Sequence, residues 1–273
     1  MSIDDQGFLS ETDILQYRDQ IRQRYARYFD FIHRVNTFCL QAKFHLDDTS
    51  TNSQNRMAVR LLVKLLADTQ GAVLLVERGL ASQARTLLRA ACETCIILAR
   101  VCQKKDFQRL YSLSDALTLT RWNIEILKDK SPALKSIREE FSRRGITLKT
   151  LTQREGELKK SGAKKLQIGT LAEAAGLSGL YYSAFSLYCQ DTHSSTYMLD
   201  QYPIPSQFGN FEDNLGGSVM DNLEDILLLI PRLMLMGVAA IDTVVALNLG
   251  ADLDSLRTEL KALENPHNTS LQA

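Results

Sequence analysis

The chain has 273 residues, 45% of them hydrophobic, enough to bury a substantial core. Its 32 basic and 32 acidic residues leave no formal net charge, so no overall field draws it to nucleic acid or an anionic membrane. Only 5 prolines punctuate it, and no alternating β-branched runs or strand–helix alternation occur, which excludes sheet-based architectures. The expected fold is all-α, a multi-helix bundle with long antiparallel helices.

Residues 1–9 are acidic, lack the apolar stretch of a signal peptide and read as a flexible N-terminus. Ser10-Glu11-Thr12-Asp13 resembles an N-cap box and opens one helix to about residue 46. Its apolar stripe runs through Ile14, Tyr17, Ile21, Tyr25, Tyr28, Phe29, Ile32 and Val35. A polar loop at 47–55 precedes helices over 54–78 and 82–103, divided near Gly79. A helix over 106–128 carries the single tryptophan, Trp122, and Ser131-Pro132 opens a short charged helix to Arg144. Residues 147–169, rich in Lys and Glu with Gly156 and Gly162 inside, read as a polar, solvent-facing or mobile excursion. It lies within a single helical domain spanning 10–264.

Helices over 171–177 and 181–193 come next, then a Pro- and Gly-containing loop at 202–217. A long apolar helix over 219–249 contains Pro231, expected to kink it, and a short amphipathic helix follows at 252–263. The tail 265–273 reads as disordered. The segment 226–249 is long enough to span a bilayer, but Pro231, Arg232 and Asp242 interrupt it. A buried bundle helix is therefore expected, with no membrane partner, and Arg232 and Asp242 should meet polar groups or solvent.

The cysteine count is odd: Cys39, Cys92, Cys95, Cys102 and Cys189, mostly in apolar helical patterns, as expected of reduced thiols in a cytoplasmic protein. Cys92-Glu-Thr-Cys95 lies mid-helix, outside the frame of a redox motif, and has no second pair at zinc-site spacing. No metal and no cofactor are expected.

Two stretches could carry chemistry. The window 84–102 is apolar nearly all round, yet it holds Arg85, Arg89 and Glu93 at one-turn intervals on one stripe. A structural ion pair that sets helix register explains them, and so does one wall of a functional pocket. If the pair is sealed in the core, Glu93→Ala should cost several kcal/mol by stranding an arginine. The second stretch, 181–194, joins an aromatic face (Tyr181, Tyr182, Tyr188) to a polar end at Asp191, Thr192, His193 and Ser194. His193 either caps a helix terminus or serves as acid or base, the role histidine fills near neutral pH. The candidate set is His193, Arg89 and Glu93 as catalytic residues, with Arg85, Tyr182 and Ser194 as substrate contacts.

Arg85-Thr-Leu-Leu-Arg89-Ala-Ala-Cys-Glu93, followed by Tyr181/Tyr182 and a helix ending in Thr192-His193-Ser194, resembles the uncharacterised bacterial family called domain of unknown function 5677. The resemblance covers roughly 57–197, including the lead-in at 171–177. Such sequences often carry a serine one turn before the histidine, where this chain has Cys189. The resemblance implies an all-helical cytosolic bacterial protein and no established activity.

Two weaker patterns point elsewhere. Residues 171–178 look like the first half of a helix-turn-helix, but the next helix lacks the Arg or Lys that would read base edges, so sequence-specific DNA is not an expected partner. Arg27 and His33 match the loose Arg-x(4–6)-His spacing of the HEPN ribonucleases, a spacing expected by chance in a chain this rich in arginine. The functional expectation is a cytosolic effector of toxin or phage-defence type that acts on RNA phosphodiesters without metal through Arg89, Glu93 and His193. The alternative is a non-catalytic helical interaction module, acting as a homo-oligomer or accessory subunit.

Overall fold

In the computed structural model, described over residues 11–46, 51–193 and 223–265, every element is helical. The terminal segments expected to be flexible, the loop at 202–217 and Ser194 lie outside the described residues, apart from Asn265. In chain order the helices are α1 (Glu11–Arg24), α2 (Ala26–Phe44), α3 (Ser53–Glu77), α4 (Ala81–Gln103) and α5 (Phe107–Lys128). A 3-10 turn at Pro132–Leu134 leads into α6 (Lys135–Arg143), then α7 (Leu148–Lys160) and α8 (Ile168–Ala175). A continuous rod follows, made of α9 (Ser178–Leu180), a π-helical turn (Tyr181–Phe185) and α10 (Ser186–Thr192). The last two are α11 (Leu223–Val245) and α12 (Gly250–Glu264).

The core forms where α3 and α4 pack along their length and α11 lies across both and α2. α4 earns that central place by composition: its buried set runs from Ala81 to Cys102 and includes Leu88, Ile96 and Leu98, all fully buried. Burying each such side chain contributes about 1.5–3 kcal/mol. The turn between α3 and α4 depends on Gly79, whose φ of +75° suits a residue without Cβ. Its N–H donates to Val76 O (2.9 Å) and the Leu80 N–H to Leu75 O (2.9 Å), which closes α3 in a Schellman motif. The Tyr17 ring lies directly against the bare Gly79 Cα.

Two expectations change. The first helix breaks at Tyr25, which leaves helical geometry at φ −110° and ψ 24°. Its ring is buried at 4% exposure, 6.2 Å from the Tyr28 ring, and the break lets α1 pack on α3 while α2 packs on α11. The polar excursion 147–169 contains an ordered helix. Thr147 and Thr150 form a reciprocal capping box, Leu151 is buried, and Glu155 pairs with Arg121 of α5 (2.9 Å) and Lys159 (2.8 Å). The long apolar helix forms as α11, with Pro231 inside it.

By length and composition α11 could cross a membrane, but here its face from Ile226 to Ile241 packs on α2, α3 and α4. Arg232 pairs with Glu264 of α12, as a charge on an apolar helix requires. Asp242 is half-buried, and its Oδ1 is buried with no hydrogen-bond partner among the described residues.

Candidate functional site

The rod of α9, the π-turn and α10 docks against α4, and that contact builds the site. Arg89 lies one turn past Arg85 on α4 and reaches across to the rod. Its Nε–H donates to Cys189 Sγ at 3.1 Å, and its guanidinium carbon sits 4.9 Å from the Phe185 ring centroid. Phe185 in turn stacks on Tyr181 (5.3 Å, 21° between planes), so guanidinium, phenyl and phenol form one pile. The π-turn spans Tyr181 and Phe185, and such widened turns re-aim side chains and often mark functional positions. Gly169 of α8 leaves room for the Tyr181 ring, since a Cβ there would sit 3.1 Å from Tyr181 Cζ.

Glu93 completes the α4 stripe, 3.8 Å from Arg89 Nη1, with the two side chains 36% and 27% exposed. They therefore sit at the solvent margin, not sealed in the core. The reason is geometric: the apolar sides of α4 face α3 and α11, while this stripe faces a short rod that covers only part of it. Arg85 is half-buried. Tyr182 is 73% exposed, its ring edge-on to Tyr181 at 5.1 Å, where it can meet a ligand or partner.

His193 is the C-cap of α10, its N–H donating to Cys189 O at 3.1 Å. It is exposed and follows Cys189 by one helical turn, on the same face. Among the described residues no side-chain hydrogen bond or ion pair joins His193 to Arg89 or Glu93. The structure thus unites Arg89 with Glu93, and joins Arg89 to Cys189 and Phe185. His193 adjoins this group through Cys189. Neither Cys189 nor Phe185 is visible as a site residue in one sequence; the missing signal is the tertiary docking of the rod.

Cys189 differs from the other thiols. Cys39, Cys92, Cys95 and Cys102 are buried, and burial pushes the thiols of Cys39, Cys95 and Cys102 up to about 12. Burial raises Cys92 too, and the neighbouring Cys95 and Cys189 add to the effect. Cys189 is partly exposed, and all five are free of disulfides.

A second Arg–His–Glu group escaped the sequence. Arg22 Nη2–H points at His33 Nε2 (3.1 Å), and Arg22 Nε lies 3.0 Å from Glu77 Oε1, joining α1, α2 and α3. Arg27, the arginine at HEPN-like spacing, donates instead to the Tyr28 hydroxyl (2.6 Å). Among the described residues no three His, Cys, Asp or Glu side chains gather as a metal site would.

No curated protein and no solved structure matches the chain. Residues 55–209 match the model of a family of unknown function, DUF5677, and that span includes α4, the π-turn, α10 and His193. Because more than half of the chain is matched, the protein belongs to the DUF5677 family.

Proposed function

We propose that the chain is a cytosolic bacterial effector, of toxin or phage-defence type, that cleaves RNA phosphodiesters at the Arg89 site. One observation carries this reading. Arg89 is held at Nε by Cys189 and on one face by Phe185, leaving a partly exposed guanidinium beside Glu93, with His193 one helical turn beyond Cys189. A fixed cation at a half-open margin can take a phosphate oxygen and stabilise the charge that builds there during transfer. RNA supplies its own nucleophile. His193 would take the 2′-hydroxyl proton as the O2′–P bond forms. As the P–O5′ bond breaks, the same proton returns to the departing 5′ oxygen, leaving a 2′,3′-cyclic phosphate. Glu93 orients the guanidinium, and Arg85 and Tyr182 contact the substrate. Free buried thiols support the cytoplasmic assignment.

The test is cleavage of single-stranded RNA by purified wild-type chain, Arg89→Ala and His193→Ala, together with toxicity on expression. Wild type alone should cleave, with the His193→Ala melting temperature unchanged because that side chain is exposed. Equal cleavage by wild type and His193→Ala overturns the reading.

A non-catalytic module acting as a homodimer is favoured by one feature, the exposure of Tyr182 (73%) and Leu187 (45%) on the docked rod. Sedimentation of wild type and of a Tyr182→Ser, Leu187→Ser double variant separates the two. A dimer lost in the variant, with no cleavage by wild type, selects this module.

A further inference from the structure

A groove of about 900 Å³ opens between α3 and the start of α5, away from the rod. That volume lies in the range of small-ligand sites, about 300–1,000 Å³. Its walls carry Arg56, Arg60 and Lys64 from α3 and Arg109 from α5, against one carboxylate, Asp106. The α3 cations recur every fourth residue and so form one stripe with steps of about 6 Å along the helix axis. Like charges at that interval repel one another on a helix. Lys64 relieves part of this through Asp68 at 2.6 Å. Arg56 and Arg109 line the groove from opposite walls, and neither side chain has a hydrogen-bond or ion-pair partner among the described residues.

Two further features bear on what fills the groove. Gln108 bridges the walls, Nε2–H donating to Ser53 Oγ (3.1 Å), while its Oε1 is buried with no donor among the described residues. Tyr111 lines the groove and stacks on Phe107 at 6.5 Å; its hydroxyl is pushed up by burial and by the Asp115 and Glu93 carboxylates. Tyr111 on the groove wall thus feels the charge of the Glu93 that pairs with Arg89, although Glu93 does not itself line the groove.

We propose that this groove holds the phosphodiester backbone of single-stranded RNA that is cleaved at the Arg89–Glu93 site, an assignment that rests on the RNA-cleaving reading above. A compact metabolite phosphate needs a convergent nest of donors. Here the cations form a track, repeating at roughly the step of one nucleotide in an extended strand, with an aromatic ring at its edge. That combination fits a single strand, whose backbone follows basic residues while its bases stack on aromatic rings. Zero net charge is consistent with it, because the track is local and most of the balancing acids lie outside the groove.

The experiment is fluorescence anisotropy of labelled oligouridine with the full chain, wild type against an Arg56→Gln, Arg109→Gln double variant, over a range of salt. Both positions are exposed, so the melting temperature serves as the folding control. The double variant should bind at least tenfold more weakly. Its slope of log affinity against log salt should flatten by about 1.4, the value for two lost contacts to a single strand. Wild-type affinity in the double variant overturns the proposal. So does equal displacement of RNA by polyglutamate of matched charge, which would make the groove a site for an acidic peptide. If wild type binds through these arginines but cleaves nothing, the groove stands and the cleavage reading falls. If it cleaves while affinity ignores both arginines, the groove falls and the cleavage reading stands.

Discussion

Arg89 and Cys189 are 100 positions apart in sequence, yet Arg89 Nε–H meets Cys189 Sγ at 3.1 Å. This contact fastens the rod to the central helix and sets the direction of the guanidinium.

Replacing the acceptor should show this. Cys189→Ser keeps an acceptor for Arg89 and should leave stability within about 0.5 kcal/mol. Cys189→Ala removes it and should cost about 1–2 kcal/mol, in the range for a hydrogen bond with one charged member at a partly exposed position. Urea unfolding followed by circular dichroism measures both, and equal midpoints for the two variants would show the contact to be idle.

Thiol chemistry should distinguish the same residue. Under native conditions at about pH 8, a disulfide reagent should modify one cysteine rapidly, Cys189. The other four respond only on unfolding, because they are buried and burial raises their thiols. Mass mapping of the modified site checks this, and rapid labelling of Cys92 or Cys95 would contradict the packing of α4.

Glu93→Ala should be mild. With Arg89 still engaged by Cys189 and Phe185 and the pair open to solvent, the cost should be below about 1 kcal/mol. The several kcal/mol expected for a sealed pair would require a site closed to solvent. Thermal melts of the single variant decide between these values.

Glycine substitutions test how closely α11 approaches α3. A Cβ on Gly237 would lie 2.5 Å from Leu65 Cδ2 and 3.1 Å from Leu62 Cδ1, and both leucines are fully buried. Gly237→Ala should therefore destabilise by about 1–3 kcal/mol despite the helix propensity gained. Gly156 of α7 has open space around it, so Gly156→Ala should stabilise by roughly 0.5–1 kcal/mol. Chemical denaturation of the two variants should move in opposite directions.

Acid should loosen the attachment of α12 to α2. Arg34 holds Glu259 through two contacts, one of 2.8 Å, and this hydrogen bonding lowers the Glu259 carboxyl below its usual range. A depressed carboxylate stabilises the fold above its unfolded value, about 4.3, and that contribution is lost as pH falls through the folded value. Both side chains are about half exposed, so the contribution is at most about 1 kcal/mol. Stability of wild type minus Glu259→Gln, followed from neutral pH to below pH 4, should shrink towards zero; a constant difference would contradict the assignment.

Periodicity and punctuation carry the all-helical architecture on their own. Apolar residues every third or fourth position mark the faces of α2, α3 and α11, and Gly79 stands where a helix must end, because these are local properties of the backbone and of adjacent turns. Arg89, Glu93 and His193 are likewise recognisable as polar groups out of place in apolar helices. Their surroundings are not local. The break at Tyr25 follows from which neighbours α1 and α2 meet, and the docking of α7 depends on Arg121 facing Glu155. The solvent margin at Glu93 exists because the rod covers only one side of α4. Cys189 becomes the partner of Arg89 only when two segments distant in sequence pack together, and long-range packing leaves no periodic trace in a single chain.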